Sequence, residues 1–258
     1  MTTSEISVEI QKATGVVLHS RDSLEADVIA RVYTREYGKR SFVIKGLKKS
    51  RTRSLSAVEA GAVISLVYYY REGREHQVPR EFKPVKHYLS LRENLEKYLH
   101  LCFILETVDR TTGFNDPDPG LFSLLAAGID TLAGDALSVH LSLFFLLRLL
   151  DLQGILPDFT GCGVCGNRDY DDFAVDTRDF LPVCRDCLMA GVKTGKLLPR
   201  SGRDYIEQAL SKKYNAIDHE KFDGEALFDL LFHVTLFMEN YFHVRIKSKS
   251  MIFTPGER

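Results

Sequence analysis

The spacing of apolar and polar residues changes once along the chain, near residue 89. Ahead of that point, from Thr14 to about Tyr88, apolar residues recur in short stretches, partly at period two, the spacing that gives a strand one buried face. Gly15-Val16-Val17-Leu18 opens the first strand. Val28, Ala30 and Val32 alternate with Asp27, Ile29, Arg31 and Tyr33 in a second, Ala26–Thr34. Ser41–Gly46 forms a third, and the β-branched and aromatic stretch Ala62–Tyr70 a fourth. A fifth lies around His76–His87. Glu36-Tyr37-Gly38-Lys39 suits a hairpin connection, because Gly38 can supply a positive φ. Lys48 to Ser56 is polar and basic, hence loop, and Gly73 marks a turn. Five short strands in about 75 residues predict a small barrel, of which the OB-fold is the common five-stranded case. Pro79 and Pro84 place the last strand at an edge or a bulge.

From Leu89 the period becomes 3.6. Leu91, Leu95, Tyr98, Cys102 and Leu105 fall on one helical face, with Cys102 read as core packing. Asn115 to Gly120 stops that helix, and its Asp/Pro chemistry starts another near Pro119. Ala136–Leu152 is strongly apolar, but His140, Ser142, Arg148 and Asp151 interrupt it, so it predicts a buried core helix rather than a membrane span. Arg203–Lys212 and Glu225–Val244 follow, the latter burying Leu227, Leu230, Leu231, Val234, Phe237, Met238 and Tyr241. The fold expected is α+β and multidomain. An N-terminal OB-fold β-barrel (residues 1–88) precedes an α-helical domain (89–258) with a four-cysteine zinc ribbon inserted at 159–190.

Charge alters this picture. The chain's 258 residues carry a formal net charge of −1, which does not point to a nucleic-acid ligand. Yet Arg31 to Arg53 holds nine basic residues and one acidic residue, Glu36. The near-neutral total conceals a basic N-terminal face and an acidic remainder. Within the window, Arg35, Lys39, Arg40, Lys45, Lys48, Lys49, Arg51 and Arg53 are candidate phosphate contacts. Tyr37, Tyr33 and Phe42 are interleaved with them, a mixture suited to single-stranded nucleic acid, where cations follow phosphates and rings stack on bases. For Tyr33 and Phe42, a place in the barrel core fits equally well.

The cysteines carry the sharpest local signal. Cys162-Gly163-Val164-Cys165 and Cys184-Arg185-Asp186-Cys187 are two C-x2-C knuckles 18 residues apart. Zinc prefers four ligands in a tetrahedron, and each knuckle offers two thiolates from one tight turn. Phe173 to Leu181 alternates like the short hairpin of a zinc ribbon. Four thiolates leave no open position for water, so one structural zinc per chain is expected, in a reducing compartment.

Catalytic patterns fail in turn. The deaminase pair H-x-E with P-C-x-x-C is absent, since Val183 separates Pro182 from Cys184. Gly191 to Leu197 resembles a phosphate loop but has three spacers instead of four, and Leu197 stands where Ser or Thr would bind Mg²⁺. His233 and His243 form no metalloprotease pair, no G-x-S-x-G elbow occurs, and the acidic residues are unclustered. The chain reads as a non-enzyme. Met1 to Lys12 contains no apolar run that could serve as a signal peptide.

Taken in order, Thr14-Gly15-Val16-Val17-Leu18, Glu25-Ala26-Asp27, Tyr33 to Lys39, Lys45-Gly46 with its basic tail, Phe144–Leu150, Gly154-Ile155-Leu156-Pro157-Asp158 and the two knuckles resemble the RecO family of bacterial recombination mediators. The resemblance implies a cytoplasmic, nucleoid-associated DNA repair factor of the RecF pathway that binds single- and double-stranded DNA and anneals complementary strands. It also implies action with RecR to help RecA replace single-strand-binding protein (SSB), as a monomer by itself and away from membranes. The acidic-hydrophobic SSB tail would dock on the helical region, where Arg148, Arg245, Lys247 and Lys249 are cationic candidates. A zinc-ribbon factor acting on RNA or transcription, and a nuclease with a dispersed acidic site, are the competing classes.

Overall fold

The computed structural model describes residues 9–50, 55–176, 179–192 and 196–253. Two units divide the chain, Met1–Ile129 and Asp130–Arg258.

The first unit is built on an antiparallel sheet of five strands: β1 (Glu9–Ser23), β2 (Asp27–Thr34), β3 (Gly38–Ile44), β4 (Val63–Tyr70) and β5 (Pro79–Lys86). Strand order is β3-β2-β1-β4-β5. β1 is fifteen residues long and serves two neighbours. Its first half pairs with β4 (Glu9 opposite Tyr70 to Val16 opposite Val63), and its second half pairs with β2, across a bulge between Val17 and His19. Val17, Val28, Ala30, Val32, Phe42, Ile44, Ile64, Leu66 and Tyr68 form the core on one side of this curved surface. The β2–β3 turn needs its glycine twice over. Gly38 has φ +65°, and a Cβ there would sit 2.2 Å from the Asp116 carbonyl oxygen.

The expected OB-type barrel is overturned, because neither sheet closes on itself among the described residues. β3 and β5 are the two edges of the large one. The two edges come near each other, but the bridge between them lies ahead of β5, where Gln77 pairs with Phe42 through Val43 N–H to Gln77 O and Gln77 N–H to Ser41 O, both 2.9 Å. Pro79 and Pro84 have no N–H to donate, and the β4–β5 register slips near each of them, so β5 offers no regular ladder to β3. That the last strand lies at an edge with bulges agrees with the reading of its prolines.

Two helices follow, α1 (Leu89–Glu93) and α2 (Leu95–Thr111), and α2 packs on β1. The single stripe read from Leu91 to Leu105 does not survive. Asn94 is extended (φ −117°, ψ 108°), and its side chain accepts from Lys97 N–H at 3.0 Å as an N-cap. The helix therefore restarts with a new phase. Leu101, Ile104, Leu105 and Val108 are buried, Leu95 is 72% exposed, and Cys102 is half-buried. α3 (Pro119–Ala133) starts where the Asp118 carboxylate accepts from Gly120 N–H (2.8 Å) and Leu121 N–H (3.0 Å).

In the second unit α4 (Ser138–Leu152) has eleven buried residues and packs on α6 (Arg200–Ser211) and α7 (Gly224–Phe242). Between α4 and α6 lie β6 (Phe173–Val175), β7 (Pro182–Cys184) and α5 (Arg185–Met189); α8 (Lys249–Ile252) follows α7. α7 buries its expected face except Tyr241, which is exposed. Among the described residues, no helix is long and apolar enough to cross a membrane.

Candidate metal centre and cationic sheet surface

The two knuckles are brought together by a short hairpin. β6 pairs antiparallel with β7, placing Phe173 opposite Cys184. Cys184 ends β7, and Cys187 lies in the short helix that follows. The first knuckle is a tight turn. Cys162 N–H donates to Asn167 O and Gly166 N–H to Cys162 O, both 2.8 Å, while Gly163 N–H donates to Pro182 O at 2.7 Å. Gly163 lies so near β7 that a Cβ would be 3.1 Å from that of Leu181. An aromatic floor holds the hairpin: Phe159 meets Phe173 and Phe180 edge-on, and Phe180 stacks on Phe237 of α7 at 5.3 Å.

As a result the four sulfurs of Cys162, Cys165, Cys184 and Cys187 lie within 4.8 Å of one another. The cluster is capable of holding a metal ion. Its electrostatics suit a cation. Burial raises the Cys162 thiol, but amide donors at Cys165, Cys184 and Val164 together outweigh it and bring that thiol down to about 6. Cys187 is pushed up to about 12, chiefly by its hydrogen bond with Cys165 and with burial next. One thiolate forms readily and the next is opposed by its neighbours, a conflict that a bound cation removes.

The basic run is divided by the fold. Lys39 is buried, and its Nζ donates to the carbonyls of Asp109 (2.5 Å) and Thr112 (2.6 Å), with the Asp109 carboxylate 3.7 Å away. It neutralises the carbonyl end of α2, where a positive charge is favoured. Desolvation lowers its pKa, against the pull of Asp109. Arg31 joins it with an ion pair to Asp109 at 2.6 Å. Arg40 is buried too. Its guanidinium donates to Gln11, Tyr68 and Asn115 and sits 4.5 Å from the ring centroids of both Tyr37 and Tyr70. Lys39 and Arg40 are therefore internal braces, not surface cations.

Of the aromatics offered for stacking, Tyr33 and Phe42 lie in the core at 1% and 0% exposure. The Tyr33 hydroxyl accepts from Asp118 N–H at 3.2 Å, and the Phe42 ring packs edge-on to Tyr68 at 5.0 Å. Tyr37 is half-buried against Arg40. Arg35, Lys45, Lys48 and Lys49 are exposed. Arg35 lies over the Phe122 ring at 4.8 Å, while Lys48 and Lys49 reach Asp22 (2.8 Å) and Glu25 (2.7 Å) beside the β1–β2 turn. Arg51 and Arg53 fall outside the described residues, as do residues 193–195 of the phosphate-loop-like stretch. Sequence reasoning passed over a further set of exposed cations, Arg71, Arg74 and Arg80, on and beside the β4–β5 connection. They are interleaved with Glu72, Glu75 and Glu81, so no charge run marks them.

Comparison with known proteins decides the family. Residues 8–88 match the model of the Recombination protein O N terminal, and residues 92–250 that of the Recombination protein O C terminal. The chain belongs to the RecO family. A DNA repair protein RecO of Caldanaerobacter subterraneus subsp. tengcongensis is 26% identical over 241 residues, 92% of this chain and 95% of that protein. One from Desulforamulus reducens is 30% identical over 183 residues, 70% of each chain. One from a Thermoanaerobacter species is 23% identical over 252 residues, 95% of this chain and 98% of that protein. This RecO-family chain is a DNA repair and recombination mediator and not an enzyme.

Proposed function

We propose that the chain binds single- and double-stranded DNA, anneals complementary strands, and with RecR assists RecA loading on SSB-coated DNA in the cytoplasm. The observation that carries this reading is the pair of RecO matches lying end to end over residues 8–88 and 92–250. The exposed cations of the first unit support it. Arg35, Lys45, Lys48 and Lys49 would contact phosphates, joined by Arg51 and Arg53 of the same run. Holding two backbones on a cationic surface lowers their mutual repulsion, which favours annealing. Lys48 and Lys49 would exchange exposed carboxylate partners for phosphates, a small cost because such surface pairs contribute about 0–1 kcal/mol.

The metal of the four-cysteine cluster is zinc in this reading, one per chain, closed by four thiolates and structural. The second unit is the side for protein partners. Its cationic candidates for the acidic SSB tail differ in their surroundings: Arg245 is exposed, Lys249 is ion-paired with Glu239, and Arg148 donates to the Lys212 carbonyl at 3.3 Å.

Equal-length single-stranded DNA, duplex DNA and RNA, compared at several salt concentrations, test the proposal. Both DNAs are expected to bind with a steep salt dependence. Charge reversal at Arg35, Lys45, Lys48 and Lys49 should flatten the slope by about 3, at roughly 0.7–0.9 per phosphate contact. Unchanged affinity in that variant, or tighter binding of RNA than of either DNA, would overturn it.

A further inference from the structure

The connection between β4 and β5 carries an arrangement that the basic run does not include. Its tip, Arg71-Glu72-Gly73-Arg74, turns at Gly73 (φ +71°). Buried Gln77 ties that tip down. Its Oε1 accepts from Arg71 N–H at 3.0 Å, and its Nε2 donates to the carbonyls of Arg71 (2.9 Å) and Arg74 (3.3 Å). The backbone of Gln77 is held in turn by Ser41 and Val43 of β3. The tip is thus fixed through side chain and main chain together, while the Arg71 and Arg74 side chains stay at the surface.

Between this tip and the start of β5 lies an open cavity of about 370 Å³, within the size range of ligand pockets. Arg71, Arg74 and Arg80 line it, and among the described residues no carboxylate does; Glu72, Glu75 and Glu81 are not in its wall. Alternation along the strand separates Arg80 from Glu81. Tyr69 lines it too, with Gln77, Val78 and Pro79; it is 41% exposed, and its hydroxyl accepts from Arg80 Nη1 at 3.3 Å. Three guanidinium groups around one concavity repel each other until an anion enters, and their planar forks match phosphate oxygens. An exposed ring beside them is a platform for an unpaired base.

We propose that this cavity is a single-stranded DNA subsite, with a phosphodiester held by Arg71, Arg74 and Arg80 and the neighbouring base laid on Tyr69. The inference rests on the DNA-binding reading above and adds a contact distinct from the Arg31–Arg53 run. It also assigns a task to the irregular start of β5: the slip at Pro79 leaves Arg80 beside Tyr69 instead of continuing the ladder.

The test uses the full chain and a fluorescent oligothymidylate, with binding followed by anisotropy over a salt series. R71A/R74A/R80A should lose at least about tenfold in affinity, and its salt slope should fall by about 0.7, the value for one phosphate on a single strand. Y69A should lose several-fold on single strands and little on duplex, whereas Y69F keeps wild-type binding. R92A/R110A, two exposed cations on the helices, should change affinity less than twofold. If the triple alanine variant melts below wild type, R71K/R74K/R80K replaces it, and weaker binding with an unchanged slope is expected. Bromodeoxyuridine crosslinking should mark the peptide containing Tyr69. Wild-type binding that survives the triple substitution unchanged, or crosslinks that avoid that peptide, would overturn the subsite while leaving the DNA-binding reading intact. Absence of any DNA binding by the wild type would overturn both.

Discussion

Arg40 stands in a run of surface-type cations, yet the fold turns it inward, between two tyrosine rings and onto Gln11, Tyr68 and Asn115. Removing it leaves buried polar partners without a donor, so Arg40→Met should cost about 2–4 kcal/mol by urea denaturation, and Arg40→Lys should not rescue it. An unchanged midpoint would contradict this role. Charge reversal at Lys39 or Arg40 would therefore confuse unfolding with lost DNA binding. Neither role was legible in the sequence, because the hydrogen-bond partners of these two residues lie 28 to 75 positions away. His100 makes a second point. Buried in α2, it is desolvated to about 4 from an ordinary 6.5, with Glu96 opposing. The unfolded chain then binds the proton first. Stability from the neutral ring is full above about pH 6.5 and lost as pH falls toward 4, by on the order of 3 kcal/mol. His100→Gln should flatten that part of the stability–pH curve, and an unaltered curve would count against the assignment.

Elements were legible where their signals are local. Each C-x2-C knuckle folds within a few residues, and the alternation from Phe173 foretold the hairpin that joins them. The strand around Val32 came from period two, those around Val17 and Leu66 from short apolar, β-branched and aromatic stretches, and α4 and α7 from their apolar spacing. What failed depended on distant or cooperative detail. A reset at Asn94 rotated the buried face of α2, and prolines in β5 stopped the sheet short of closure. The ribbon yields a prediction of its own. On the proposed zinc reading, Cys184→Ser should lower bound zinc from one per chain toward none and release hydrogen-exchange protection across 159–190, while the sheet keeps its own. Full zinc retention would refute the ligand set.

For the whole molecule, the informative quantity was the distribution of charge, not its sum. The structure sharpens this. Part of the basic run braces the first unit, and the cations left at the surface include some that no run announced. The family is carried by two matches that together span nearly the whole chain. Mediator action on DNA strands is read out by following two complementary strands, each coated with SSB, as they anneal with and without the protein. Acceleration that grows with protein concentration and fades with added salt is the predicted result; a rate no different from that of the SSB-coated strands alone would contradict it.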